Sequence, residues 1–218
     1  MIASILLFFQ LASQVLAKCP IVRPVENLNL EKWVEKTWYV AQQQINGYQK
    51  QEDLYCVLAT YDINATQHVP FFKGTVVSVH NYENKNQVNG PVEQTDKNIP
   101  SGLCARAKNS SYPSELLVAP CFLPNFAGGP YWVIAFNKTY EWGVIAGGTP
   151  TVQYNDGCST KETGVNGSGL WIFVRDPTNS EMAVSEARIA LKKLGYSLSR
   201  LLDVKQDGCK YDGARIKN

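Results

Sequence analysis

The sequence predicts an all-β protein of eight sequential antiparallel strands, followed by one amphipathic α-helix. Three observations carry that expectation. Short segments rich in Val, Ile, Tyr, Phe and Trp recur from residue 37 to 175, separated by clusters of Gly, Pro, Asn and Asp. Helical periodicity appears mainly after residue 177. The run LWIFVRDP, Leu170 to Pro177, is apolar on both faces of a strand and then ends on an arginine.

Residues 1–17 read as a removable secretory signal, an apolar stretch ending Val15-Leu16-Ala17 with residues suited to the −3 and −1 positions of a cleavage site. Gln10, Ser13 and Gln14 interrupt it, and it falls short of the roughly 20 apolar residues of a membrane span. No Lys or Arg precedes it, so the α-amino group is its only positive charge. No later segment is long and apolar enough to span a bilayer. Residues 18–218 are of a length that fits one domain, and 44% apolar against 18% charged residues can bury a core.

Two features agree with an oxidising, extracellular destination. Four sequons begin at Asn64, Asn109, Asn137 and Asn166. All six cysteines, Cys19, Cys56, Cys104, Cys121, Cys158 and Cys209, follow the cleavage point, an even number suited to three disulfides. None has the C-x2-C spacing of a zinc site, so no metal is expected. A net charge of +2 with scattered Lys and Arg supplies no basic stripe for nucleic acid, and Lys192-Lys193 reads as a solvated helix face.

Strands are predicted near 37–44, 54–62, 71–81, 102–108, 115–123, 131–137, 141–147 and 169–175. Turn residues fill the gaps, as in Asn125 to Pro130 and Gly147 to Pro150. The polar, Asn-rich stretch from Glu83 to Ser101 reads as an extended loop. Thr178-Asn179-Ser180-Glu181 has the pattern of a capping box, and Ala183, Ala187, Ala190, Leu191 and Leu194 form one apolar stripe that stops at Gly195, predicting a helix over about 180–194.

Eight such strands suit an up-and-down barrel or a sandwich. Alternation puts Trp171, Phe173 and Arg175 on one face of the last strand and Leu170, Ile172 and Val174 on the other. A strand that is apolar on both faces must be covered twice. The helix can cover the even-numbered face from outside while the odd-numbered face looks into a barrel. Arg175 then points inward near one end. A lone buried guanidinium costs several kcal/mol, so it needs a π-face or carbonyl oxygens, and Trp38 in another strand is the candidate. The alternative is an arginine that simply emerges into solvent at the strand end.

Three segments in order resemble the lipocalin family, in the branch of apolipoprotein D and the insect bilin-binding proteins. Asn29 to Val40 resembles the G-x-W segment that opens the barrel. Tyr131-Trp-Val-Ile-Ala with Tyr140-Glu-Trp-Gly-Val-Ile resembles the junction of the sixth and seventh strands, and Leu170 to Pro177 resembles the eighth strand. The resemblance covers nearly the whole mature chain and implies an eight-stranded barrel with its helix packed outside. It also implies that Arg175 lies over the indole of Trp38 and closes the barrel base. Lys36 stands where the family has glycine, and Phe136-Asn137-Lys138 replaces its T-D-Y.

The same resemblance implies a Cys19–Cys158 bond and a Cys56–Cys209 bond that ties the 196–218 tail to the barrel. Cys104 and Cys121 flank a hairpin turn near Tyr112-Pro113, which sets them opposite each other on adjacent strands. Closing loops as long as the first two stabilises by up to about 5 kcal/mol each in the chain-entropy picture.

A small closed barrel can hold one ligand, chosen by its inward side chains. Tyr55, Val57, Ala59 and Tyr61 are placed on one face by alternation, and Tyr131, Val133 and Ala135 on another. With Trp171 and Phe173 they make a lining with few charges, and Tyr61, Tyr131, Val133, Trp171 and Phe173 are the candidate ligand contacts. Tyr61 and Trp171 fall where the resemblance to apolipoprotein D places ligand. The competing reading is that these aromatics only fill the core.

The expected function is a secreted carrier of a small hydrophobic molecule (carotenoid, retinoid, sterol, fatty acid or tetrapyrrole), held non-covalently and without a cofactor. A lipocalin-fold enzyme acting on a lipid or isoprenoid is one alternative. His68 and His80 have no nucleophile at a recognisable spacing and read as solvent-facing. Gly164 to Gly169 lacks the strand-then-helix setting of a phosphate loop. The other alternative is a lipocalin whose loops bind a protein; a protein partner or self-association is left open by the sequence.

Overall fold

The computed structural model describes residues 18–63, 67–99, 101–107 and 109–218; the signal segment 1–17 and the sequon residue Asn64 lie outside the described residues. In chain order the elements begin with α1 (Leu30–Val34), β1 (Trp38–Gln43), β2 (Tyr55–Asp62), β3 (Thr75–Asn84), β4 (Val92–Gln94) and α2 (Thr95–Asn98). They continue with β5 (Leu103–Ala107), β6 (Glu115–Pro120), β7 (Gly129–Phe136), β8 (Trp142–Ala146), β9 (Val152–Tyr154) and β10 (Gly157–Ser159). Last come β11 (Leu170–Val174), α3 (Glu181–Lys193) and β12 (Leu202–Asp203).

Eight of these strands close an antiparallel barrel. The order runs β11-β8-β7-β6-β5-β3-β2-β1, and β11 pairs back with β1 from Tyr39↔Val174 to Gln43↔Trp171. Up-and-down order puts alternate connections at opposite ends. Segments 44–54, 85–99, 121–128 and 147–169 surround one end, the mouth; 67–74, 109–114 and 137–141 lie at the other, the base, with α1.

The strand with two apolar faces is covered twice. Phe173 joins the interior cluster with Trp38, Val57, Ala59, Tyr61 and Val133. Leu170, Ile172 and Val174 join an outer cluster with Val144, Ala146, Ala187 and Leu191, so α3 packs on the barrel wall. At the end of α3, Tyr196 N–H donates to Leu191 O and Gly195 N–H to Lys192 O, with Gly195 at φ +80°. This left-handed glycine cap ends the helix where the apolar stripe ends.

Four expectations are corrected. The capping box does not form: Thr178 N–H and hydroxyl both donate to Asp176 Oδ1, so the threonine serves a turn and Ser180, at the N-cap, makes no side-chain cap bond. The stretch 83–101 is no simple loop, because β4 pairs with the end of β3 and α2 follows it. The third strand begins at Thr75 rather than residue 71; Phe71 has φ +59° and is fully exposed. Finally, a bulge between Val133 and Ala135 reverses the alternation of β7. Ile134 and Ala135 both pack outside, and Phe136 returns inward.

Three disulfides join Cys19–Cys158, Cys56–Cys209 and Cys104–Cys121. Cys56 sits at a bulge with φ +54°, and its N–H donates to Lys205 O, so the same point of β2 holds the tail covalently and by hydrogen bond. Further on, Lys217 reaches the base, donating from Nζ to Val34 O and Tyr61 O.

The base is built around Arg175. Its Cζ lies 3.5 Å from the centre of the Trp38 ring, and Trp38 in turn lies 4.5 Å from Trp33. All five N–H donors of the guanidinium are used: Nε to Tyr140 O, Nη1 to Lys36 O and Thr37 O, Nη2 to Lys32 O and Trp33 O. These carbonyls come from the end of α1, the start of β1 and the β7–β8 turn, so one side chain joins three parts of the chain. Burial lowers the Arg175 pKa to about 10, which keeps it charged at neutral pH. Lys36, at the family's glycine position, lends only its carbonyl and points its side chain to solvent. At the neighbouring turn, where Phe136-Asn137-Lys138 stands in place of T-D-Y, Asn137 Oδ1 accepts the N–H groups of Glu141 and Trp142.

Replacing Arg175 with Ala removes the stack and all five of these bonds, leaving Trp33 O only its bond from the Trp38 indole, and should lower unfolding stability by about 3–5 kcal/mol. Arg175→Lys keeps the charge but lacks the planar five-donor fork, and should recover less than half of the loss. Denaturant titration of the disulfide-intact protein measures both; an Arg175→Ala cost below about 1 kcal/mol would show that the stack is ornamental.

Candidate functional site

Inside the barrel, above the base, lies a cavity of about 440 Å³. Its size falls within the range of small-molecule sites. Val57, Ala59 and Tyr61 of β2, Val79 of β3, Val118 of β6, Tyr131 of β7 and Trp171 and Phe173 of β11 form its walls. Strand alternation produces this lining: each residue is an inward member of its strand. Two surface grooves of about 710 and 730 Å³ lie outside the barrel, one between α3 and the 203–207 segment, the other around Arg175 at the base. Both are open and richer in charged side chains.

Of the five candidate ligand contacts, Tyr61, Tyr131, Trp171 and Phe173 stand on the cavity wall. Val133 does not. It is fully buried in the interior cluster with Trp33 and Trp38, in the layer beneath the cavity. Tyr55 is also absent from the wall, because the bulge at Cys56 separates it from the alternation of Val57, Ala59 and Tyr61. Tyr61 and Tyr131 meet across the interior, hydroxyl to hydroxyl at 2.8 Å, with rings edge-on at 6.1 Å between centroids. Burial raises the pKa of both phenols, so both are neutral throughout the physiological range.

The mouth is framed by parts that strand patterns do not reveal. Tyr48 and Gln49 come from the β1–β2 segment, Thr95 and Ile99 from α2 and its end, Leu123, Ala127 and Pro130 from the β6–β7 segment, and Val165 and Asn166 from the 147–169 segment. Arg106, on the outer face of β5, fastens the β6–β7 segment by donating to Pro120 O and Leu123 O. Its Nε and Nη1, though buried, have no partner among the described residues. Asn166 lies at the lip and is exposed, as is Asn109; Asn137 is half-buried and occupied with its turn. His68 is exposed, but His80 is not solvent-facing: only 12% of its side chain is accessible, and Nε2 lies 3.3 Å from Asp62.

A buried amide network ties the β1–β2 segment to the rim. Gln43 Nε2 and Asn46 Nδ2 donate to Gln49 Oε1, and Gln49 Nε2 donates to Glu83 of β3. Glu83 faces Glu93 directly across the β3–β4 ladder, with Asp53 and the single cation Lys85 nearby. Desolvation, then the neighbouring carboxylates, raise the Glu83 pKa to about 7, against the pull of Gln49 and Lys85. The fold therefore favours the protonated form. Its contribution to stability is fully present below about pH 4.5 and is lost as pH rises through about 7. Unfolding free energy should fall by about 1–3 kcal/mol between pH 5 and 8.5, and Glu83→Gln should remove most of that slope. Denaturation curves across this range decide it; an unchanged slope in the variant would place the titration elsewhere.

No family model matches the chain, and no curated protein matches it. Solved structures do. Apocrustacyanin C2 is 15% identical, with 90% of this chain and 95% of that chain covered at a TM-score of 0.56. The amine-binding protein of Rhodnius prolixus, solved in complex with tryptamine, is 13% identical, with 90% and 91% covered at 0.53. Insecticyanin from the tobacco hornworm Manduca sexta is 14% identical, with 86% and 85% covered at 0.51. At these identities the likeness is one of fold. With the closed eight-stranded barrel, the arginine-sealed base and the outer helix, it shows that this chain has the lipocalin fold.

Proposed function

We propose that the protein is a secreted carrier that binds one small hydrophobic molecule non-covalently inside the barrel. The observation that carries this reading is the aromatic-walled cavity of about 440 Å³ inside the barrel, which side chains leave unfilled. A barrel serving only as a scaffold has no need of such a space, because voids larger than a water molecule cost stability. Neighbouring folds solved with an amine ligand or described as crustacyanins and insecticyanin agree with a ligand-carrying use of the barrel.

Secretion is supported by three disulfides and by the signal expected at residues 1–17, and glycosylation by the exposure of Asn109 and Asn166. All six cysteines are bonded, which leaves no thiol for cysteine-dependent catalysis in the cavity. The absence of charged side chains from the cavity wall favours a neutral or weakly polar ligand body. Planar, π-rich molecules suit walls made by Trp171, Phe173, Tyr61 and Tyr131.

Filling the space tests the reading. The mature protein should bind the apolar fluorophore 1-aminoanthracene with a rise in its emission. Val118→Trp, which puts an indole into the cavity from β6, should weaken that binding at least tenfold while the denaturation midpoint stays near that of the parent. Equal binding by the two proteins would place the fluorophore outside the barrel and remove the support for an internal site.

A further inference from the structure

The cavity wall is apolar except near its two ends, and the deep end has an imbalance of hydrogen-bonding groups. Tyr61 and Tyr131 bring two hydroxyl protons there, and their mutual bond uses one. Neither phenol has another acceptor among the described residues; the one other side chain acting on either hydroxyl is Trp33 beside Tyr131, and its indole N–H is itself a donor. Whichever hydroxyl donates, the other keeps a proton with no acceptor in the protein. The indole N–H of Trp33, 1% exposed in the layer beneath, also makes no hydrogen bond. Turning that N–H toward Tyr131 would lengthen the chain of donors without consuming the last proton. One hydroxyl proton is therefore left without an acceptor at this end, whichever way the bond between the phenols runs.

Charge points the same way. Arg175 lies under Trp38 with all five donors spent on neutral carbonyls; among the described residues no carboxylate comes within ion-pair distance of it, Glu35 acting on it only from further away. Its positive charge is felt at both phenols. A low-dielectric interior strengthens that field and makes an unmet donor expensive.

Resting on the carrier reading above, we propose that the Tyr61–Tyr131 hydroxyl pair anchors the leading end of the ligand. The molecule this site takes is then apolar along its body and carries a hydrogen-bond-accepting oxygen, as in a ketone or carboxyl group, at the end that enters first. A pure hydrocarbon would leave that proton unmet, and so would a ligand whose only polar group is a donor, which can use a phenol lone pair but cannot accept the proton.

Two ligands of the same length separate this from simple filling: 2-undecanone and undecane, each titrated against bound 1-aminoanthracene. In the parent protein both should displace the fluorophore. Tyr61→Phe or Tyr131→Phe alone leaves one hydroxyl with its proton free, so each should keep most of its affinity for the ketone. The double variant has no hydroxyl and should bind the ketone about 3–10-fold more weakly, with undecane affinity unchanged. The undecane value also reports that the cavity is intact. Equal changes for ketone and alkane, or no change for either, would overturn the anchor while leaving the carrier reading in place. Failure of the parent to bind the fluorophore or either ligand would overturn both.

Discussion

Everything in this molecule depends on one charge stacked on one indole. A closed sheet has two open ends, and an interior of Val, Leu and aromatic side chains would admit water through both. Arg175 over Trp38 seals one of them. The guanidinium suits the task because its flat face lies on the ring while its edge reaches five carbonyls in the plane around it. Those carbonyls belong to chain ends that the sheet ladder cannot pair, so the arginine removes a polar debt at the same point where it closes a hydrophobic space.

The opposite end is organised differently, and the difference makes a one-ended vessel. Four connecting segments stand around the mouth, joined by amide side chains and by Arg106, whose guanidinium has buried nitrogens without partners. The acidic group Glu83, held there with a pKa near 7, makes the rim sensitive to protonation where the base is not. One disulfide ties the N-terminal segment to β10 in the 147–169 connection at the mouth, and another ties the C-terminal tail to β2 of the wall. Any molecule held in the cavity would therefore face the loop-framed mouth and not the sealed base.

How far the sequence reveals this differs by element. The barrel strands were legible because alternation is a local signal, and Leu170 to Val174 announced both the interior and the outer helix by being apolar on two faces. The Trp38–Arg175 contact was legible as a need, a buried charge with Trp38 as its candidate partner, and family resemblance decided against an arginine that emerges into solvent. The Cys19–Cys158 and Cys56–Cys209 pairings followed that resemblance too, whereas Cys104–Cys121 followed from the hairpin between them. The misreadings have physical causes. Ala135 and Tyr55 were misplaced because a bulge shifts alternation without changing composition. Thr178 and Glu181 had the spacing of a capping box, but Asp176 offered the threonine a nearer acceptor. The mouth residues Gln49, Ile99 and Leu123 were invisible because their positions depend on how loops fold over the barrel. The tyrosine pair joins strands far apart in sequence, and only closure brings the two hydroxyls together.

The central claim is that the cavity is a place for a molecule and not a packing defect. The most direct measurement is an absorption spectrum and a denaturing mass spectrum of the protein purified from its native source without reducing agent. The account predicts that unfolding releases one small apolar compound per chain, with a visible band if that compound is a long conjugated system. Protein that is repeatedly recovered empty, and that also fails to take up apolar ligands added afterward, would contradict it.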